Sequence, residues 1–424
     1  MSGSNGTCGG GGASRRRFLQ TAAATGAGLA LTNGGAVQAA LTDAEDAIPK
    51  VKLGKTGQMV SKLGMGTSWP VSTSFVQAAL LSGVGYIDTS ESYENTVSEK
   101  VLGEAIEKMQ ARKKVYLVTK NSSFRNATGA GAAKVFEKGL AASLERLRTD
   151  YADAYYLHGL TGAQIGMLRD DGVKQAFLDL KKAGKIRFAG VSCHDAMLPE
   201  ILETAAEVGW IDQIMIQYNF RVMPGGGRGR GAGGNAEEFA KAFGDKLQRA
   251  IDKAVKANLG LIAMKSQSGA ASFPDRVAKW TEKGVKKEVA AIKAVWGDDR
   301  MQVVVSEMTT RSDLRENIAA SREALTVKEA KLLEEHRNAT SKLYCHGCGH
   351  LCETAARGVP VATVLRYYRY YEAYGKREQA RALYQALPNV SRQLIDENLL
   401  AAEAACPFEL PVAQLVKNAH SKLS

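Results

Sequence analysis

From Leu53 onward the chain alternates short apolar or β-branched runs with longer stretches in which apolar residues recur every three or four positions. The short runs are SKLGMGT (61–67), GYIDT (85–89), KVYLVTK (114–120), ADAYYLH (152–158), IRFAGVS (186–192), DQIMIQY (212–218), GLIAMK (260–265) and MQVVVSE (301–307). They read as strands. The longer stretches at 96–110, 131–147 and 172–184 read as amphipathic helices between them. Eight strands separated by crossovers predict an α/β fold, the (β/α)8 TIM barrel. A doubly wound sheet is the alternative, but no G-x-G-x-x-G follows an early strand.

The pattern changes after residue 318. Residues 319–344 and 361–387 carry helical periodicity without intervening strands, which predicts a C-terminal helical, cysteine-containing extension rather than a ninth barrel unit. The organisation expected is a leader over 1–39, a barrel over 50–325 and the extension over 326–424. Within the barrel, PGGGRGRGAGG (224–234) is too rich in glycine to pack as a regular element and reads as a loop insertion, either a lid or a tolerated excursion.

The leader rests on order of composition. SRRRFLQ (14–20) precedes an Ala/Gly/Leu run from Thr21, and Val37-Gln38-Ala39 offers small residues for cleavage. Arginines, apolar run and cleavage site in that order predict a twin-arginine leader, hence export of the folded chain to a periplasmic or otherwise extracytoplasmic place. An uncleaved anchor or an unstructured tail is the alternative. The apolar run is shorter and more interrupted than a membrane span, and no span is expected once the leader is gone. Loss of Arg15, Arg16 and Arg17 takes the formal net charge from +12 to +9. No dense Lys/Arg block with interspersed aromatics follows, so the charge does not point to nucleic acid.

Side chains at the C-terminal ends of barrel strands converge on one place. Asp88 ends the second predicted strand and Tyr93 follows five residues later. Lys120 ends the third strand and His158 the fourth. A nearby ammonium favours the phenolate, so Lys120 is expected to lower the Tyr93 pKa while Asp88 holds Lys120 charged. His158 can donate a hydrogen bond to a substrate oxygen. Such a set suits protonation of a carbonyl oxygen as hydride reaches its carbon. Each residue alone has an ordinary structural explanation, and it is the joint placement that points to chemistry.

With LGMGT, YIDTSESYENTVSEKVLGEAI, VYLVTK, YYLHG, FAGVSCH, IQYN and LIAMK in place, the chain resembles the aldo-keto reductase family over residues 53 to about 320. The resemblance implies a (β/α)8 barrel that uses NADP(H) or NAD(H) on a small carbonyl or alcohol substrate. It implies Tyr93 as proton donor tuned by Lys120 and Asp88, with His158 orienting the carbonyl. It places Ser192 and Gln217 against the nicotinamide carboxamide, and Lys265, Arg311 and Asn317 on the cofactor phosphates and adenine. Cys193 stands where many relatives have Asn, and SEMTTRSDLREN follows the eighth strand in place of a clearer glycine-containing phosphate loop.

Four cysteines gather in the extension: Cys345, Cys348 and Cys352 in CHGCGHLC, and Cys406 in ACPFEL. Their spacing suits one [4Fe-4S] cluster, with Cys406-Pro407 as the distant ligand. Zinc is the alternative metal, with His346 or His350 able to replace one thiolate, and disulfides are the non-metal reading. Folded export favours a metal inserted before the chain leaves the cytoplasm. The extension also resembles that of a subset of aldo-keto reductase-like proteins carrying a ferredoxin-like C-terminal segment. Three readings stand at this point: a nicotinamide-dependent reductase, a cluster-linked dehydrogenase serving an electron-transfer protein, and a non-catalytic binding or assembly protein.

Overall fold

The eight apolar runs form the eight parallel strands of a closed barrel. A computed structural model describes residues 47–124, 127–195, 197–223, 235–271, 284–347, 349–406 and 408–424. Two strands precede the barrel: β1 (Lys50–Lys52) pairs antiparallel with β2 (Met59–Ser61). The barrel strands are β3 (Leu63–Gly66), β4 (Tyr86–Asp88), β5 (Tyr116–Asn121), β6 (Ala152–Leu157), β7 (Ile186–Cys193), β8 (Gln213–Gln217), β9 (Gly260–Met264) and β10 (Val303–Glu307). They pair in chain order and β10 closes on β3, with Val304 opposite Leu63.

Strands in such a barrel are covered outside by helices and filled inside by one another, so both faces are buried. Inside, Tyr86 stacks on Tyr116 at 5.3 Å between ring centroids, and Gln213 Nε2 donates to Tyr116 Oη at 2.9 Å. Leu53, from the turn between β1 and β2, joins this interior cluster from the N-terminal end and forms its floor. That hairpin had no counterpart among the predicted strands. Its three-residue strands fall below the length at which apolar periodicity is readable. Gly54 lets it seat, with φ +44° and no room for a Cβ, which would lie 2.4 Å from the Gly260 nitrogen.

Outside, helices Val97–Lys108, Ala132–Arg146 and Asp171–Lys182 turn Leu102, Ile106, Phe136, Leu140, Phe177 and Leu180 onto the sheet. Each fully buried side chain of this size contributes roughly 1.5–3 kcal/mol. Asp170 starts the third of these helices by accepting the Val173 N–H at 2.9 Å. This outer core fixes the strand ends, and therefore the loops that carry the chemistry.

The two long helical runs each break where turn chemistry intervenes. The first divides at Thr326, whose side chain and Glu329 form a capping box that starts helix Val327–Ala339. The second divides at Gly375, which has φ +65°, separating helix Val361–Glu372 from helix Arg377–Gln385. These two, with Asp396–Ala404 and Val412–Leu423, bury Val364, Leu365, Tyr384, Leu399, Val416 and Leu423 in a small core of their own. Barrel and C-terminal helices lie within one compact unit, Ala44–Ser424. The expected leader, 1–39, and the glycine-rich 224–234 lie outside the described residues. Among the described residues no helix is long and apolar enough to cross a membrane.

The cysteines correct an expectation. Cys352 is 7% exposed within the C-terminal core beside Ala356, Val361 and Leu365, while Cys345 and Cys406 pack partly buried against it. Burial pushes the Cys352 thiol up to about 12 and raises Cys345 as well. In this setting the thiols pack as core side chains. His346 stacks flat on Phe408 at 3.9 Å and is held neutral, with burial and then Arg221 and Arg369 taking it down to about 3. Among the described residues no group of three or more His, Cys, Asp or Glu side chains is arranged to hold a metal ion. The iron-sulfur cluster, the zinc alternative and the likeness to a ferredoxin-like extension are therefore withdrawn for Cys345, Cys352 and Cys406; Cys348 lies outside the described residues. The cluster-linked dehydrogenase loses its redox group, and folded export loses the metal-loading argument that supported it.

Candidate active site

Asp88 closes β4, Lys120 is the fifth residue of β5 and His158 follows β6 directly, so adjacent strands deliver all three to one end of the barrel. Tyr93 arrives on a short 3-10 turn, Tyr93–Thr96, whose strained left-handed residues Glu94 and Asn95 (φ +47° and +50°) bring the chain back over the barrel mouth.

Lys120 is 1% exposed. Its ammonium lies 2.7 Å from the Asp88 carboxylate, donates to the Thr89 carbonyl at 2.7 Å and donates to Tyr93 Oη at 3.2 Å. The same nitrogen stands 4.7 Å from the Tyr93 ring centroid. Burial lowers the Lys120 pKa and raises that of Asp88, while the attraction between the two opposes both shifts. The Tyr93 phenol is pushed well above its ordinary value, by burial first and then by Asp88, Glu307 and Tyr370. This reverses the expected direction. The Lys120 charge is already satisfied by Asp88, so desolvation of the phenolate prevails. The group stays a protonated donor at neutral pH.

The His158 ring meets Tyr93 edge-on at 5.4 Å and 82°. Three hydroxyls surround its Nδ1: Ser122 Oγ at 2.8 Å, Ser90 Oγ at 2.9 Å and Ser92 Oγ at 3.4 Å. Ser90 Oγ also accepts the Ser92 backbone N–H at 3.3 Å, which leaves its proton available to the ring. A hydroxyl donating to Nδ1 selects the tautomer with its proton on Nε2. That tautomer can donate to a substrate oxygen. Serines are too common for sequence reading to single these out; only the pairing of β4, β5 and β6 brings them to one imidazole.

The residues expected at the cofactor divide. Ser192 is the penultimate residue of β7 and is 1% exposed, and its Oγ accepts the Gly159 N–H at 2.8 Å. Gln217 ends β8 level with Met264 of β9, and Lys265 follows with φ +57°. These three therefore line consecutive strand ends. Ser266 Oγ, next in the chain, is buried without a hydrogen-bond partner among the described residues. Arg311 is exposed at the start of helix Arg311–Ala320. Asn317 is buried and engaged elsewhere, its Nδ2 donating to Ser306 Oγ at 2.8 Å while Ser306 in turn donates to Gln267 Oε1 at 3.1 Å.

The C-terminal module also reaches this mouth, which sequence reading did not foresee. Lys376 Nζ donates to the Ser68 carbonyl at 3.3 Å and lies 4.1 Å over the Trp69 ring, on the loop after β3. Arg369 donates to the Cys345 carbonyl at 2.9 Å and covers one side of Tyr344 at 4.1 Å; Arg221, on the loop after β8, stands 4.4 Å from the same ring. The C-terminal end of helix Val361–Glu372 and the turn after it are thus tied, through Arg369 and Lys376, to Tyr344 and to the loop after β3. Burial, then Arg366 and Arg369, bring the Lys265 ammonium down to about 7. His194 is held well below its usual range by Lys265, burial and Arg366.

Residues 63–230, which hold the first six barrel strands, match the model of the aldo/keto reductase family. The chain is 32% identical over 152 residues to L-galactose dehydrogenase of Arabidopsis thaliana, covering 33% of this chain and 47% of that protein. It is 31% identical over 183 residues to the aldo-keto reductase YhdN of Bacillus subtilis, covering 39% of this chain and 52% of the relative. The chain spans about half the length of these curated relatives. Among solved structures, an aldo/keto reductase from Klebsiella pneumoniae in complex with NADP and acetate superposes with a TM-score of 0.51 at 22% identity, covering 68% of this chain and 95% of that one. At that identity the likeness speaks for the barrel alone.

Proposed function

We propose that this protein is an oxidoreductase of the aldo-keto reductase kind, reducing a small carbonyl compound to an alcohol with hydride from a nicotinamide dinucleotide. The observation that carries the reading is the Lys120 ammonium bonded at once to Asp88 and to Tyr93 Oη, with His158 edge-on to the same phenol. The partial identity to reductases and dehydrogenases over residues 63–230 supports it.

The strand ends fit the cofactor. Gln217 offers an amide at the end of β8, Ser192 offers a hydroxyl near the end of β7 opposite Met215, Ser266 offers a buried hydroxyl in need of a partner, and Lys265 offers a cation suited to phosphate. When bound there, the dinucleotide supplies the hydride. Tyr93 gives its phenolic proton to the substrate oxygen, and its raised pKa keeps that proton in place at neutral pH. Lys120, fixed by Asp88, donates to Tyr93 Oη and stabilises the negative charge left on it. His158, with Nδ1 occupied by serine hydroxyls, turns Nε2–H toward the same substrate oxygen.

The test is oxidation of NADPH and NADH, followed at 340 nm, against a panel of aldehydes and ketones with the full chain and with Tyr93→Phe. Turnover that disappears in the variant supports the reading. Dinucleotide binding without turnover of any carbonyl would leave a binding protein on a reused barrel.

A further inference from the structure

The turn that carries Tyr93 and the loop that steadies His158 are joined by a side chain outside the reacting set. Tyr93 N–H donates to the Ser90 carbonyl at 3.1 Å, which closes a turn with Glu91 and Ser92 at its centre. From that turn Glu91 Oε1 accepts the Ser122 backbone N–H at 2.7 Å, on the loop after β5, and Ser123 Oγ lies 3.5 Å from the same oxygen. A hydrogen bond onto a carboxylate is shorter and stronger than one between neutral groups.

Ser122 is placed by that bond, and Ser122 places the imidazole. Its Oγ lies 2.8 Å from His158 Nδ1, and the carbonyl of Asn121, the residue before it, accepts the His158 backbone N–H at 3.0 Å. The chain neighbours of Glu91 complete the set: Ser90 Oγ and Ser92 Oγ lie 2.9 Å and 3.4 Å from the same ring nitrogen. Hydroxyls from two loops thus meet at Nδ1, and Glu91 ties those loops together.

The second carboxylate oxygen of Glu91 is turned to the helix layer. It lies 3.6 Å from the point where a Cβ on Gly139 would stand, in helix Ala132–Arg146, and that point is 2.4 Å from Asn121 Nδ2 and 3.1 Å from Tyr155 Oη. The hydrogen bonds of Glu91 go to Ser122 and Ser123, not to Tyr93, Lys120 or His158. Its place is therefore behind the chemistry.

We propose that Glu91 is a positioning residue, a strut that fixes the tautomer of His158 and the spacing of its ring from Tyr93 by holding Ser122. This rests on the reductase reading and deepens it. Two rings that meet edge-on at 5.4 Å can serve one substrate oxygen only while the turn and the loop keep their separation. Loss of the strut frees the Ser122 N–H and lets its hydroxyl swing from Nδ1. The ring proton then divides between the two nitrogens, and Nε2 is a donor for only part of the time.

The experiment follows the nitrogen-15 shifts of the His158 ring in the full chain, assigned by their loss in His158→Gln. It is paired with kcat for 4-nitrobenzaldehyde and with NADPH affinity, on the natural protein, Glu91→Ala and Glu91→Gln. In the alanine variant we expect the ring to pass from the Nε2–H tautomer to a mixture, kcat to fall by about 10- to 100-fold and NADPH affinity to stay unchanged. Glutamine keeps an acceptor oxygen at the same reach, so it should restore the shifts and most of the rate. Thermal melts show which variants are folded. Should alanine unfold the chain, Glu91→Asp, one methylene short of Ser122, takes its place with the same expected shifts. Unmoved ring shifts in the folded variant overturn the proposal. So does a rate loss that glutamine leaves unrestored, because the carboxylate charge and not the strut would then be what the reaction needs. The shifts require no turnover, so a tautomer that changes with Glu91 in a protein that reduces no carbonyl would reject hydride transfer and leave the strut standing.

Discussion

The Lys120 ammonium and the Asp88 carboxylate lie 2.7 Å apart at 1% and 3% exposure, and the ammonium also reaches the phenol on which the proposed chemistry depends. A buried pair of this kind is held by mutual need more than by net gain. Removing one partner strands the other charge. Asp88→Asn should therefore cost about 3–5 kcal/mol of stability at pH 6, where Lys120 must be charged in the unfolded chain and is uncompensated in the folded one. The loss should shrink as pH rises, because Lys120, whose pKa is already lowered by burial, then folds neutral. Urea unfolding at pH 6 and pH 9 measures both. Equal losses at the two pH values would mean that Asp88 acts through packing and not through charge.

Tyr93→Phe removes the proton donor and leaves the ring. Reduction should fall by about 10²–10⁴-fold, while stability changes by about 1 kcal/mol for the lost hydrogen bond from Lys120. Because the Tyr93 pKa is raised well above 10, the donor form persists through neutral and mildly alkaline pH. kcat for an uncharged aldehyde should be flat from pH 6 to pH 9 as far as Tyr93 is concerned. Stability from the protonated phenol is complete below the unfolded value near 10 and is lost only above it, as pH rises through the folded value. A pH–rate profile settles the point, and an alkaline limb centred below pH 9 on kcat would contradict it.

Ser122 Oγ has one hydrogen-bond partner among the described residues, His158 Nδ1 at 2.8 Å. Ser122→Ala should leave the ring to Ser90 and Ser92, mix its tautomers and lower kcat about tenfold, with little change in dinucleotide affinity. Ser122→Thr, which restores a hydroxyl, should recover most of the rate. Nitrogen-15 shifts of the His158 ring report the tautomer directly. Unchanged shifts alongside a slower enzyme would assign Ser122 to loop structure instead.

How far the chain could be read before folding depended on the kind of interaction involved. The ends of all eight barrel strands lie within two residues of the apolar runs that predicted them, because a strand buried on both faces writes continuous apolar sequence. Asp88, Tyr93, Lys120 and His158 were legible for the related reason that strand ends converge. What escaped depended on three-dimensional approach. The three serines at His158 come from two loops, and the contacts of Lys376 with Trp69 and of Arg369 with Tyr344 join segments far apart in the chain. The thiols misled because spacing says nothing about burial. Cys352 sits among apolar side chains that favour its protonated form. The direction of the Tyr93 shift was misjudged because Asp88 engages the same ammonium and desolvation outweighs what remains.

Lys265 ties the end of β9 to pH. Its ammonium is brought to about 7 by burial, then by Arg366, Arg369 and Lys376, with Glu307 acting in the opposite sense and His194 held neutral beside it. An anion binds the charged form, so affinity for the dinucleotide, whose phosphates Lys265 suits, should be highest below pH 7 and fall as pH rises through that value. An uncharged aldehyde should show no such fall. The stability linkage has its own sign: between about 7 and 10.4 the unfolded lysine holds a proton that the folded one has lost. The penalty for burying Lys265 is therefore full below pH 7 and relieved as pH rises toward the unfolded value. Lys265→Met should raise the thermal midpoint more at pH 6 than at pH 9, and should flatten the pH dependence of NADPH affinity. An NADPH affinity that still falls near pH 7 in Lys265→Met would move the titration to another group.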